Sequence, residues 1–222
     1  MGTSVYIDGF NLYYCTVRYT PYKWLDLLRL CTNLFPTKTI DKIKYFSAKV
    51  TTVPWDLGAP TRQDFYWRAL RTIPNLEIIE GNFVSWPRYL PQVPFVYDRN
   101  GHARKVQVLR TEEKGSDVNL AAYLVYDNCV KEADESIVIS NDSDLTKAIE
   151  LVTVKLKRTV IVVNPNRTTM VHKDPVHYHM HRELMRVATQ SVISINEKVL
   201  VASQFPPTLT DIQGTFSKPA TW

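Results

Sequence analysis

Apolar strand-like runs that stop abruptly at aspartates are the feature that most constrains this chain. Residues 4–7 run into Asp8, and residues 135–139 are followed within three positions by Asp142. Open parallel sheets place ligand-binding side chains outside the carboxyl ends of their strands, where the strand order reverses. We therefore expect these acids to meet at one edge of a sheet. Taken alone, either aspartate is more typical of a turn or a helix cap.

Strand-like and helix-like segments alternate along most of the chain, which predicts an α/β fold with a parallel sheet and crossover helices. The predicted strands are 4–7, 40–50, 76–79, 135–139 and 159–163. The predicted helices are 11–17, 23–34, 61–71, 115–131, 143–154 and 174–188.

Residues 82–110 interrupt this alternation and are predicted to form a β-hairpin insertion that projects from the sheet. The segment mixes prolines with aromatic and basic side chains, and residues 99–102 are typical of a hairpin turn. Two interpretations stay open. The aromatic rings could stack on unpaired bases while Arg88, Arg104 and Lys105 meet phosphates. Alternatively, the rings could form a small core or a dimer interface.

Length and composition favour one large domain, because 222 residues that are 45% hydrophobic can build one sizeable core. We assign residues 1–190 to this domain, including the hairpin, and residues 191–222 to an extended C-terminal tail that packs on or beside it. No run of about 18 apolar residues predicts a membrane span. Three widely spaced cysteines without a CxxC pair fit a cytoplasmic protein. A net charge of +5 is compatible with a polyanionic partner.

Four aspartates could together form a hard-oxygen site for Mg²⁺ or Mn²⁺. They are Asp8, Asp117, Asp142 and Asp144. Carboxylates gathered at one place repel each other, and a divalent cation with oxygen ligands relieves that repulsion. A metal held there would neutralise a phosphodiester, activate a water and stabilise the leaving oxygen. The grouping therefore predicts cleavage of phosphodiesters.

Three segments resemble the motifs of NYN domains, the LabA-like branch of the PIN-like metal-dependent ribonucleases. The segments are 5–13 (VYIDGFNLY), 113–118 (EKGSDV) and 139–145 (ISNDSDL), in the order and spacing of that family. The resemblance covers roughly residues 4–190. It implies a PIN-like three-layer α/β/α sandwich with a central parallel sheet. It also implies an endoribonuclease that uses Mg²⁺ or Mn²⁺ to cleave RNA, which we expect to be single-stranded or looped.

The resemblance also implies roles for individual residues. By position, Asp8, Asp117 and Asp142 would hold the metal, with Asp144 assisting. In the same way, Asn11 would orient a metal-bound water or phosphate, and Ser140 would line the pocket.

Two further substrate-binding candidates follow from their places beside the motifs. Lys114 lies just before Asp117 and could hold the scissile phosphate, or it could be a solvated lysine at a helix start. Tyr13 closes the first motif and could contact substrate, or it could be buried.

Other functions remain open on the same fold. One is a non-catalytic RNA-binding or regulatory protein, and another is a phosphatase or DNase that uses the same pocket. The tract at residues 177–181 contains three histidines. We expect a partly exposed helix there, with contact to RNA or a zinc site as alternatives. A homodimer is compatible with all of these functions.

Overall fold

The computed structural model describes residues 2–166 and 179–222, and one open sheet dominates them. Its strands are β1 Thr3–Asp8, β2 Ile40–Ala48, β3 Leu76–Pro91, β4 Lys105–Lys114, β5 Glu135–Ile139, β6 Thr159–Val163 and β7 Gln190–Val192. Their order across the sheet is β4-β3-β2-β1-β5-β6-β7. Neighbouring strands run parallel except for β3 and β4, which are antiparallel.

Short helical segments connect these strands. The α-helices are α1 Gly9–Leu12, α2 Leu27–Leu34, α3 Ala59–Leu70, α4 Ser116–Cys129, α5 Thr146–Glu150, α6 Arg182–Val187 and α7 Glu197–Ala202. Helix α1 continues into a π-helical turn, Tyr13–Val17. A 3₁₀ turn, Ser143–Leu145, precedes α5, and a second π-helical turn, Leu151–Lys155, follows it.

Both faces of the central strands β1, β5 and β6 are buried, which is typical of parallel sheets covered by helices on each side. Val5 and Ile7 point into one apolar cluster, which also contains residues of α2 and α3. Tyr6 points into a second cluster, which contains residues of α4, α5 and α6. The chain is therefore a mixed α/β fold whose central, mostly parallel sheet is flanked by helices, as the alternation of segments predicted. A three-layer α/β/α arrangement is compatible with this architecture.

The strand order reverses between β1 and β5. From β1 the chain builds outward to β2 and β3 on one side, and from β5 it builds outward to β6 and β7 on the other. Ile7 pairs with Ile139, so both strands end at the same level. The predicted strands are confirmed, and so is the expectation that the ends of β1 and β5 lie together at the reversal point.

The predicted hairpin insertion is present, but its first arm is a continuation of β3. This strand pairs with β2 as far as Gly81 and then, from Asn82 to Pro91, pairs with β4 alone. The hairpin therefore extends beyond the carboxyl edge of the sheet and returns to that edge. At its far end, the Asp98 carboxylate accepts hydrogen bonds from the backbone N–H groups of Asn100 and His102, at 2.8 and 2.9 Å.

The C-terminal segment, predicted to be an extended tail, contains helix α7 and a small antiparallel pair, β8 Thr208–Asp211 and β9 Gly214–Ser217. The pair is fixed to α3, because Arg68 donates hydrogen bonds of 2.7 Å to the Asp211 carboxylate. The ring of Trp222 lies 5.5 Å from that of Tyr66. Elements of four to six residues are too short to show a periodicity in the sequence.

Of the predicted helix 174–188, the structure describes residues 179–188, and of these only Arg182–Val187 are helical, as α6. Residues 167–178 lie outside the described residues, and the first two members of the histidine tract, His177 and Tyr178, lie among them. Within the parts of the chain that the structure describes, no helix has the length and apolarity needed to cross a membrane.

A buried ion pair connects α4 to the sheet. Lys44 of β2 and Asp127 of α4 are both 2% exposed, and the Lys44 ammonium contacts the Asp127 carboxylate directly. The Tyr6 hydroxyl donates a hydrogen bond of 2.7 Å to the same carboxylate. Because each charge would be costly without its partner, this cluster fixes α4 against β1 and β2.

Candidate active site

An acidic cavity of about 320 Å³ lies at the reversal point of the sheet. Four carboxylates line it: Asp8, Glu113, Asp117 and Asp142. Its other walls are formed by Phe10, Asn11, Tyr14, Cys15 and Phe83. The described residues that line the acidic cavity include no lysine, arginine or histidine.

Asp8 is held rigidly at the floor of this cavity. It ends β1 and caps α1, where one carboxylate oxygen accepts a hydrogen bond of 2.9 Å from the backbone N–H of Asn11. The other oxygen accepts a hydrogen bond of 2.9 Å from the Ser140 hydroxyl, which itself accepts one from the backbone N–H of Asp142. The capping role left open by the sequence is therefore observed, together with the position in the cavity.

A second connection between the two strand ends runs through Asn11. Its side-chain oxygen accepts a hydrogen bond of 3.1 Å from the backbone N–H of Asn141. The Asn141 side chain in turn binds the backbone of His179 and His181, at 3.0 and 2.8 Å. Asn11 and Asn141 therefore act as positioning residues for the segments around the acidic cavity.

The returning arm of the hairpin brings two more acids, Glu113 and Asp117, to the cavity. Phe83 and Glu113 pair across β3 and β4, so their side chains share one face of the hairpin. Gly115 adopts a φ of 104°, a conformation that favours glycine, and lets the chain turn from β4 into α4. Helix α4 therefore starts at the cavity and places Asp117 in its first turn.

Two acids of this cavity, Asp8 and Asp117, hold protons more tightly than isolated carboxyls do. Burial, followed by the charges of Asp117 and Asp142, raises the pKa of Asp8 to about 7, against lowering by its hydrogen bonds. Burial, and then the charges of Asp142, Glu113 and Asp144, raises the pKa of Asp117 to about 6. The neighbouring thiol is no nucleophile at neutral pH, since burial and Asp8 raise the pKa of Cys15 to about 11.

These acids supply the oxygen chemistry that Mg²⁺ or Mn²⁺ prefers, but they do not form a ready ligand shell. The described residues contain no group of three or more His, Cys, Asp or Glu side chains placed to hold a metal ion. Both oxygens of Asp8 are already engaged by hydrogen-bond donors. We therefore derive no reaction step from a metal, and binding of Mg²⁺ or Mn²⁺ stays a prediction.

The other predicted residues are dispersed. Asp144 is exposed in the 3₁₀ turn and does not line the cavity, although its charge acts on Asp117. Lys114 is exposed at the end of β4, with its ammonium 3.7 Å from the Glu112 carboxylate. Arg88, Arg104 and Lys105 are exposed on the hairpin, and none of them lines the acidic cavity.

An aromatic cavity of about 570 Å³ lies beside the acidic one. Phe10, Tyr14 and Phe83 line both, so the two cavities adjoin. Further walls of the aromatic cavity come from the rings of Tyr13, Tyr45, Trp55, Tyr66, Trp67 and Trp222. Tyr13 was predicted either to contact substrate or to be buried. It is half-buried and lines this cavity, so its side chain is accessible to a ligand there.

The aromatic cavity has a positive charge balance. Arg18, Lys23 and Arg62 line it, and Asp56 is the one acid among its described lining residues. Arg62 donates a hydrogen bond of 2.7 Å to Asp56, which neutralises that pair. The guanidinium of Arg18 lies 5.0 Å from the ring centre of Tyr14 and 4.8 Å from that of Tyr19. Arg18 and Lys23 form no ion pair with a described carboxylate, although the charge of Lys23 also acts on Asp56.

Sequence reasoning missed Glu113 as a cavity residue and missed the aromatic cavity as a whole. Glu113 stands four residues before Asp117, at the predicted junction between a strand and a helix. Its place beside Asp117 could have indicated that it faces the same cavity. Arg18 follows Tyr13 and Tyr14 closely and could have been noticed. Trp55 and Trp222 come from distant segments, and nothing in the sequence joins them to the first motif.

One curated relative is similar to this chain from end to end. It is the 6-hydroxy-3-succinoylpyridine 3-monooxygenase HspA of Pseudomonas putida (strain DSM 28022 / S16). The two are 29% identical over an alignment of 248 positions, which covers 100% of this chain and 75% of the relative. No family model matches the chain.

The fold is similar to that of a solved structure. A protein of unknown function from Vibrio parahaemolyticus RIMD 2210633 matches it with a TM-score of 0.52 and 17% sequence identity. The match covers 88% of this chain and 93% of the other. At this identity the likeness concerns the fold alone.

The predicted function, a metal-dependent endoribonuclease with a non-catalytic RNA-binding protein as its alternative, is wrong. The relative that matches the chain from end to end is named as a monooxygenase, which is an oxidoreductase and not a hydrolase of phosphodiesters. The prediction followed the acids at the strand ends, and a set of carboxylates does not by itself determine the reaction. An RNA partner and a homodimer stay predictions, because neither similarity bears on them.

Proposed function

We propose that this chain is an enzyme, an oxidoreductase of the monooxygenase type that acts on a small hydroxylated N-heteroaromatic ring. The end-to-end similarity to a 6-hydroxy-3-succinoylpyridine 3-monooxygenase is the observation that carries the proposal. The aromatic cavity supports it independently, since about 570 Å³ lined by rings suits a small planar substrate.

The proposed reaction balances with dioxygen and a two-electron donor. One oxygen atom of O₂ enters the bond between the ring carbon and its acyl substituent and makes an aryl ester, which water hydrolyses to a ring hydroxyl and a carboxylic acid. The other atom leaves as water after taking up two electrons and two protons. The electrons come from a reduced nicotinamide or a reduced flavin, so this donor is a required co-reactant.

The residues of the chain hold the ring and exchange protons with it. Stacking between aromatic side chains keeps a planar ring in place and excludes water from it. Where the two cavities adjoin, Asp117 receives the proton of the ring hydroxyl or ring N–H. This assignment rests on position, because the Asp117 carboxylate accepts no hydrogen bond from the described residues, whereas both oxygens of Asp8 are engaged.

We also propose that the scaffold is PIN-like and related to NYN domains. The convergence of Asp8, Asp117 and Asp142 from the three motifs on one cavity supports this assignment. A shared scaffold carries no fixed reaction, so a PIN-like sheet and an oxygenase reaction are compatible.

Oxygen labelling tests the proposed reaction. The purified chain is supplied with 6-hydroxy-3-succinoylpyridine, ¹⁸O₂, NADH, free flavin and a flavin reductase that delivers the electrons. We expect oxygen uptake that depends on the substrate and a product that carries one ¹⁸O atom by mass spectrometry. Absence of labelled product with this complete electron supply would contradict the proposal.

A further inference from the structure

The two adjoining cavities carry charges of opposite sign. Four carboxylates line the acidic cavity, while the aromatic cavity has three cations and one acid among its described lining residues. Phe10, Tyr14 and Phe83 form the wall common to both. A ligand at this junction therefore lies in a field that is negative at one end and positive at the other.

The positive end has charge available for an anion. Arg62 is engaged with Asp56, but Arg18 and Lys23 form no ion pair with a described carboxylate. The rings of Tyr14 and Tyr19 hold the Arg18 guanidinium between them by cation–π contacts. Lys23 also repels Lys218, and burial together with this repulsion lowers the pKa of Lys218. An anion bound beside Lys23 would offset this repulsion.

The negative end has acceptors available for a donor group. Asp117 and Asp142 line the acidic cavity, and Asp117 is half-buried and accepts no hydrogen bond from the described residues. A carboxylate accepts hydrogen bonds and donates none when it is ionised. This end therefore suits a ring N–H or a hydroxyl and repels a carboxylate.

We propose that the two cavities are subsites for one amphoteric ligand, an aromatic acid. Its carboxylate is bound by Arg18 and Lys23, its ring lies among the shared aromatic residues, and its N–H or hydroxyl donor faces Asp117. Arg18 and Lys23 are then the residues that select acids over neutral analogues. The inference rests on the proposed function in taking this ligand to be the substrate, but the binding itself needs no turnover.

Calorimetric titration tests the inference in the absence of oxygen and reductant. The probes are 6-hydroxy-3-succinoylpyridine, its neutral primary amide, and succinate as an acid without a ring. We expect the aromatic acid to bind at least about 10-fold more tightly than either of the other two probes, because only this probe uses both subsites.

Two charge-removing variants locate the acid-selective end. We expect Arg18→Gln and Lys23→Gln each to weaken binding of the aromatic acid by about 5- to 10-fold. Neither variant should change the affinity for the neutral amide. Arg18→Lys keeps the charge and should recover part of the affinity. Lys155→Gln is the matched control, because Lys155 is exposed in the π-helical turn after α5 and lines neither cavity.

The outcomes separate this inference from the proposed function. Equal affinity for acid and amide, or an unchanged acid affinity in the Arg18→Gln/Lys23→Gln double variant with native unfolding behaviour, overturns the subsite assignment. If acid selectivity is found but no ¹⁸O enters a product, the proposed monooxygenase reaction fails and the subsite assignment stands.

Discussion

The acidic and aromatic cavities adjoin, but different forces act among the groups that line them. In the acidic cavity like charges face each other, and burial raises the pKa values of Asp8 and Asp117 above those of isolated carboxyls. In the aromatic cavity rings pack on rings, as Tyr66 does against Trp222. The first arrangement costs folding free energy and the second contributes to it. Removing a group should therefore have opposite effects on stability in the two cavities.

The largest effect is expected on catalysis at the acidic cavity. Asp117→Asn removes the proposed proton acceptor and should lower kcat by about 100-fold, within the usual range for general base catalysis. Binding of the aromatic acid should change by less than about 2-fold, because the side-chain oxygen of asparagine still accepts the hydrogen bond from the ligand's donor group. Steady-state oxygen uptake and calorimetry measure the two quantities.

Asp41→Asn is the control for this variant, since Asp41 is exposed near the start of β2, at the opposite edge of the sheet. It should retain full activity. A normal kcat for Asp117→Asn would remove Asp117 from the mechanism and leave the acidic cavity without an assigned proton acceptor.

The acids were predictable because strand ends and helix starts determine their positions. Asp8 follows β1, Asp142 lies three residues beyond β5, and Asp117 stands in the first turn of α4, so the topology of a parallel sheet brings them together. The hairpin was also predictable from its prolines and its turn residues. In contrast, the direction in which the hairpin extends, and hence the place of Glu113, depends on tertiary pairing with β3.

The aromatic cavity was not predictable because its walls come from segments far apart in the sequence. Tyr13 belongs to the first motif, Trp55 lies in the loop before α3, and Trp222 follows β9 near the end of the described residues. Aromatic residues are ordinary members of protein cores, so none of them indicates a cavity by type alone. The reaction was mispredicted for a related reason, since a cluster of carboxylates specifies charge and not chemistry.

A smaller effect is expected on the pH dependence of folding, and it concerns the acidic cavity alone. The pKa of Asp8 rises from 3.8 to about 7 on folding. Between about pH 4 and pH 7 the unfolded chain releases this proton while the folded chain keeps it. Stability contributed by the protonated form is therefore fully present below about pH 4 and is lost as pH rises through about 7.

Asp8→Asn removes this dependence. The free energy of unfolding of the wild type should fall by about 2–3 kcal/mol more than that of the variant over this pH range. Urea titrations at several pH values, with EDTA present to exclude divalent cations, measure the difference. Asp41→Asn should keep the wild-type slope, and identical slopes for Asp8→Asn and the wild type would show that Asp8 ionises normally.

Divalent cations provide a weaker test of the same cavity. If Mg²⁺ or Mn²⁺ binds between the repelling carboxylates, a concentration of ten times Kd should stabilise the chain by about 1.4 kcal/mol. This corresponds to a rise of about 3 °C in Tm. Differential scanning calorimetry with and without each cation measures this rise in Tm. The rise should disappear in Asp8→Asn. An unchanged Tm at millimolar cation contradicts the predicted metal site.

The smallest expected effect concerns a ring at the opening of the aromatic cavity. Trp55 is 84% exposed and yet lines the cavity, so its ring contributes contact area for a ligand rather than stability for the fold. Trp55→Ala should therefore weaken binding of the aromatic acid and of its amide equally, by about 5-fold, with little change in Tm. Trp67→Ala is the informative contrast, because Trp67 is 1% exposed and its loss should destabilise the chain by about 3–5 kcal/mol. If Trp55→Ala affected the acid but not the amide, the ring would act on the charged end of the ligand. Trp55 would then belong with Arg18 and Lys23 to the part of the site that binds the carboxylate, and not to the part that stacks on the ring.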